Sequence, residues 1–169
     1  MERLWTPWRM RYLSATKPEG CILCQKIRSS DDRENLIVYR GETAFICLNL
    51  YPYSSGHLMV SPYDHVSSLD LLDSESQAGL MRAVSLGLRL LRQTMNPGGF
   101  NVGVNMGKAA GAGVDDHVHI HIVPRWEGDT NFMPVIGETR VLPELLESTL
   151  DKLLAALPAV LADEGAKGP

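Results

Sequence analysis

Apolar residues gather in five short stretches and two longer ones, separated by clusters of glycine, proline and small polar residues. Glu34 to Tyr39, through Leu36, Ile37 and Val38, predicts a strand, and Thr43 to Asn49 predicts its hairpin partner across a turn at Arg40-Gly41-Glu42. Gly56 to Pro62 predicts a third strand after the loop Leu50 to Gly56. Phe100 to Met106, with Val102 and Val104 alternating, predicts a fourth. The fifth lies in Asp116 to Arg125, where Val118, Ile120 and Ile122 alternate with His117, His119 and His121. The helical period belongs to Ser74–Asn96, where Leu80, Val84, Leu88, Leu91 and Met95 make one stripe. Ser74 and Gln77 suit a capping box at its start, and Asn96-Pro97-Gly98-Gly99 suits its end. A second helix is expected over Leu142–Leu157, with Pro143 in its first turn and Leu146, Leu150, Leu153, Leu154 and Leu157 on one face. Strands and helices do not alternate strictly. The expected fold is therefore α+β: a five-stranded antiparallel sheet with one main helix packed on it and a C-terminal helix.

A total of 169 residues suits a single domain over 1–169, with residues 1–20 as an apolar, Trp- and Arg-rich arm and 162–169 as a frayed tail. The net charge of -4 argues against general electrostatic binding to nucleic acid, and no apolar run is long enough to span a membrane. Met1-Glu2-Arg3-Leu4-Trp5 carries no apolar segment of the signal-peptide kind, which sets the expectation of a cytoplasmic, reducing setting. An odd cysteine count with one close pair fits metal binding better than a disulfide framework. Cys47, inside an apolar run, is expected to be a core thiol.

The fifth strand carries the chemistry. A two-residue period turns all three imidazoles to one face, where their polar nitrogens cannot be buried without partners. That leaves a metal site, a catalytic row, or both. Cys21-Ile22-Leu23-Cys24 has the spacing with which two thiolates reach one tetrahedral zinc; reduced structural cysteines or a redox pair compete with that reading. Gly107 to Gly113 is a small-residue loop that lets backbone N–H groups approach an anion. Imidazoles beside an anion-cradling loop suit phosphorus chemistry, since a neutral imidazole is a nucleophile and its neighbour can donate a hydrogen bond or a proton.

His117-Val118-His119-Ile120-His121-Ile122-Val123 resembles the motif of the histidine triad superfamily of nucleotide hydrolases and transferases, together with Gly56-His57 upstream and Asn49 eight residues before that histidine. Leu4-Trp5-Thr6-Pro7-Trp8-Arg9-Met10 and Arg125-Trp126-Glu127-Gly128-Asp129-Thr130-Asn131-Phe132 look like its bacterial diadenosine tetraphosphate phosphorylase branch. The resemblance implies that His119 is the nucleophile on the α-phosphorus, that His121 contacts phosphate oxygens and assists the leaving group, and that His57 orients the row. It places Asn49 by the ribose and Asn105 with the amides of Gly111, Ala112, Gly113 and Val114 at the phosphates; Trp126 is added as an aromatic that could stack on the base. It also implies a structural zinc held by Cys21, Cys24, His65 and His117, and at least a homodimer joined through its sheets. Many members carry a Gln or Ser in the small loop; this chain has none there, and Asp115 and Asp116 add negative charge instead.

The expected activity is cleavage of adenine dinucleoside polyphosphates through a nucleotidyl-histidine, with inorganic phosphate or water as acceptor. Nucleoside phosphoramidase chemistry by the same histidines is the alternative enzyme. A zinc-stabilised nucleotide-binding module without turnover is the alternative of another class. A hexose-1-phosphate uridylyltransferase is disfavoured, since its motif ends in Gln where His121 stands.

Overall fold

The computed structural model describes residues 20–129 and 144–165. In chain order these residues form α1 (Ile22–Arg28), β1 (Ile37–Arg40), β2 (Ala44–Leu48), β3 (Leu58–Pro62), α2 (Ser74–Met95), β4 (Gly99–Val104), β5 (Ile120–Arg125) and α3 (Leu146–Gly165), with single 3-10 turns at Leu69–Leu71 and Lys108–Ala110. The strands make one sheet in the order β1-β2-β3-β5-β4, antiparallel at every pairing. The expected α+β architecture is the observed one. No helix among the described residues is long and apolar enough to cross a membrane.

Strand alternation divides two cores. Ile46, Leu48, Leu58, Val60, Ile120 and Ile122 face α2 and α3, where they meet Leu80, Val84, Leu91, Leu150 and Leu153. The helix lies close to the sheet because Gly87 has no side chain: a Cβ there would come within 3.0 Å of Ile122 and 3.3 Å of Leu58. Phe45, Cys47 and Met59 point to the other face, where α1 covers them through Leu23. The fully buried Cys47 thiol is pushed up to about 11 by desolvation, as a core thiol should be.

Several boundaries differ from expectation. Residues 22–28 form a helix rather than only a cysteine turn, so Cys21 stands at its N-cap and Cys24 in its first turn. The N-cap of α2 is Asp73, whose carboxylate accepts the Ser76 N–H at 2.7 Å; Gln77 instead donates to the carbonyls of Leu69 and Leu72. α3 runs past Leu157 through Pro158 to Gly165. Burial of Val160 against the core outweighs the N–H that the proline lacks. Residues 162–165 are thus helical rather than frayed. Residues 1–19, Pro143 and 166–169 lie outside the described residues, and with them the arm and the last of the tail.

Candidate active site and metal centre

The histidine stretch is shaped by a missing hydrogen. β3 pairs with β5 at Leu58↔Ile122, Met59↔His121 and Val60↔Ile120. Continued, that register sets Ser61 opposite His119 and Pro62 opposite Val118. Pro62 has no N–H to give, so the ladder stops. The Ser61 hydroxyl donates to Val118 O at 3.1 Å in its place, and the Val118 N–H turns to Val66 O at 2.7 Å. The strand expected within Asp116 to Arg125 therefore begins only at Ile120, and His117 and His119 sit before it. Val118, Ile120 and Ile122 still reach the main core, and the imidazoles keep to the opposite side. That side is not open: His117 and His57 are fully buried and His119 is 4% exposed. Each finds partners, as buried imidazoles require.

The partners fix which nitrogen of each ring carries the proton. Tyr53 N–H donates to His57 Nδ1 at 3.1 Å, and the Asn49 amide nitrogen lies 3.3 Å from the same atom. Nδ1 is therefore the acceptor, and neutral His57 is protonated on Nε2. That N–H donates to His121 Nδ1 at 2.9 Å. His121 in turn carries its proton on Nε2. His119 Nδ1–H donates to the His117 carbonyl at 2.9 Å, which leaves Nε2 as the lone-pair nitrogen. The rings of His119 and His121 stand edge to face with centroids 4.8 Å apart. A lone pair on one ring and an N–H on the next are what a nucleophile and its assisting donor need. Desolvation, and then the neighbouring charges of His121 and His119, lower His57 to about 3. Desolvation and His119 lower His121 to about 4. Both rings are neutral at neutral pH, so the proton assignment holds there.

His117 faces the other way. Its Nε2–H donates to Pro62 O at 3.0 Å, which frees Nδ1. Nδ1 lies 3.4 Å from Cys21 Sγ and 3.5 Å from Cys24 Sγ, and His65 Nδ1 lies 3.3 Å from Cys24 Sγ. All four ligand atoms fall within 4.8 Å of one another. A tetrahedral zinc holds sulfur and nitrogen roughly 3.5 Å apart, so the set fits a closed Cys2His2 centre. Outer partners fit as well: the Pro62 carbonyl behind His117, and Asp116 Oδ2 at 3.6 Å behind His65 Nε2.

Around this row, Asn49 Oδ1 accepts the Tyr51 N–H at 2.9 Å, so the side chain braces the loop that carries Tyr53. β4 pairs Gly103 with His121 and Val104 with Ile120; one residue further, the register sets Asn105 opposite His119. The Gly111 N–H is engaged by Lys108 O at 3.0 Å, while the amides of Ala112, Gly113 and Val114 have no partner among the described residues. Trp126 sits at the end of α2, its indole N–H donating to Met95 O at 3.4 Å. Sequence reasoning missed Tyr53, whose N–H sets the His57 proton and whose ring lies 4.7 Å from that of His57. A backbone donor leaves no trace in residue type. Ser61 and Asp116 were also missed as partners, though Asp116 adjoins the motif.

A family model described as the HIT domain matches residues 31–128. AP-4-A phosphorylase of Mycobacterium tuberculosis is 44% identical over 160 residues, covering 88% of this chain and 80% of that one. A Zn-bound histidine triad family protein from Mycobacterium smegmatis superposes with a TM-score of 0.69 at 29% identity, over 85% of this chain and 97% of that one. A hypothetical histidine triad nucleotide-binding protein from Sulfolobus tokodaii superposes with a TM-score of 0.71 at 26% identity, over 88% of this chain and 99% of that one.

Proposed function

The chain belongs to the HIT domain family, and from that premise we propose that it cleaves diadenosine tetraphosphate and related adenine dinucleoside polyphosphates, with inorganic phosphate as acceptor. The observation that carries the reading is the fixed proton pattern of the row. His119 Nε2 attacks the α-phosphorus; the N–P bond forms as the bond from phosphorus to the leaving polyphosphate oxygen breaks. The ring keeps its Nδ1–H, so it becomes cationic, and the His117 carbonyl already accepts that N–H at 2.9 Å. His121 Nε2–H hydrogen-bonds the departing oxygen. His57 is a positioning residue that holds the His121 ring. Phosphate oxygen then attacks the nucleotidyl phosphorus, releases His119 and yields ADP beside the ATP already formed. Asn105 and the amides of the small loop hold the non-bridging oxygens, and Asn49 lies at the ribose side.

Cys21, Cys24, His65 and His117 would hold a zinc ion, which would supply a cross-link rather than chemistry at phosphorus. The name of the Mycobacterium smegmatis relative supports the choice of metal. The chain pairs with a second copy through β4, the last strand of the sheet, whose Val102 is 48% exposed and is followed by Met106 at 44%.

Incubation with diadenosine tetraphosphate, with and without phosphate, tests the activity. ADP and ATP formed only with phosphate support phosphorolysis. ATP and AMP formed in water alone would make the enzyme a hydrolase, and no turnover would end the reading. His119→Ala is expected to lose at least 1000-fold in kcat, of the order of removing a nucleophile.

A further inference from the structure

Lys108 lies in the small loop and has no part in the chemistry above. From Gly107 to Val114 it is the one residue with a charged or hydrogen-bonding side chain. Gly107 and Gly111, both at φ +81°, let Lys108–Ala110 close into a single tight turn. The chain then doubles back, so that Lys108 Nζ lies 3.7 Å from Asp115 Oδ2. The lysine side chain is 87% exposed and Asp115 39%, so water screens the pair and holds it weakly. Asp116, by contrast, is turned away toward His65.

The loop begins beside the nucleophile, since the β4 register carries Asn105 to the position opposite His119. Asp115 precedes His119 by four positions, at most about 14 Å of chain. Lys108 thus stands in the loop whose amides are proposed to hold the polyphosphate, between the position opposite His119 and Asp115. Without the lysine, Asp115 would meet that polyanion uncompensated.

Resting on the nucleotidyl-transfer reading, we propose that Lys108 binds the phosphates beyond the scissile one, and that Asp115 holds it ready until they arrive. The flexible four-carbon stem suits a point charge that moves between two anions. Lys108 then discriminates long phosphate chains from a monophosphate in a loop with no side-chain hydroxyl or amide to do so.

The test measures kcat and KM for diadenosine tetraphosphate, and the inhibition constant of AMP, which has a single phosphorus. One charge-assisted contact corresponds to about tenfold. Lys108→Ala is expected to raise KM about tenfold with a much smaller change in kcat, and to weaken AMP several-fold less. Lys108→Arg should recover most of the loss. Asp115→Asn, which releases the lysine, should lower KM. A merely structural lysine gives no opposite response in these two variants. Equal weakening of AMP and the tetraphosphate, an indifferent Lys108→Ala, or a KM raised by Asp115→Asn would each overturn the inference. Wild-type protein that does not turn over the tetraphosphate brings down the reading and the inference together; wild-type turnover with an indifferent Lys108→Ala brings down the inference alone.

Discussion

Replacing His57 by leucine removes both ends of a relay without leaving a large cavity. The ring is fully buried, accepts the Tyr53 N–H at 3.1 Å and donates to His121 at 2.9 Å. A buried group left without its partner costs about 1–3 kcal/mol. Tyr53 is 50% exposed, so water can replace its acceptor and its share falls at the low end. His121 Nδ1, turned inward, bears the larger share, and the fold loses about 2–4 kcal/mol in all. For activity, what is lost is the hydrogen bond that holds the His121 ring, a net contribution of about 0.5–1.5 kcal/mol. At 1.36 kcal/mol per tenfold, kcat should fall by about two- to twelvefold. His57→Gln returns an N–H of similar reach toward His121 but not the acceptor for Tyr53. It should therefore recover most of kcat while remaining nearly as unstable as the leucine variant. Initial rates at saturating diadenosine tetraphosphate, beside urea unfolding of both variants, give the two readouts. Equal kcat in the glutamine and leucine variants would refute the relay. So would a loss as deep as that of His119→Ala, which would put His57 in the covalent chemistry.

The same two rings make stability fall in acid. His57 and His121 titrate at about 3 and 4 in the folded chain against an ordinary 6.5, so below pH 6.5 the unfolded chain binds protons that the folded chain refuses. Stability should be greatest above pH 6.5 and drop by about 1.4 kcal/mol per pH unit for each ring, less for the partly exposed His121, flattening near pH 4 and pH 3 in turn; urea titrations from pH 7 to 4.5 that showed no slope would refute it. Cys24→Ser removes a sulfur that faces both His65 and His117, and should abolish zinc binding and lower the melting temperature by about 10 °C or more, as expected for a structural site. Metal analysis with melting curves decides this, and an equally stable variant would count against a structural role.

The sheet was legible because alternation and turn residues are local. The apolar runs within β2 and β3 match strands buried on both faces, Ile46, Leu48, Leu58 and Val60 in one core and Phe45, Cys47 and Met59 in the other. The ends were less so. α1 spans only Ile22–Arg28, too short for a helical period to declare itself. The second helix, expected to end at Leu157, runs on through Pro158 to Gly165, with Val160 buried against the core. Within the site, residue types pointed to metal and phosphorus chemistry, but nothing local says that His57 meets His121 across 64 residues or that Cys21 meets His117 across 96. Those pairings came from the resemblance, and the proton positions only from the partners. The proline that truncates β3 was read as a strand end; that it also frees His117 and His119 from the ladder needed the register.

That truncated ladder has a mechanical consequence. β4 and β5 are joined by six residue pairs and β2 and β3 by five, but β3 and β5 by only three. β1 and β2 also share only three pairs, but the β3–β5 seam is the one that divides the sheet through its middle, into β1-β2-β3 and β5-β4. His57 and His121 clasp the seam at one end, and Pro62 and His117 clasp it at the other. Local opening follows the weakest cooperative boundary. Whatever binds across the row or among the cysteines therefore also holds the two halves of the sheet together.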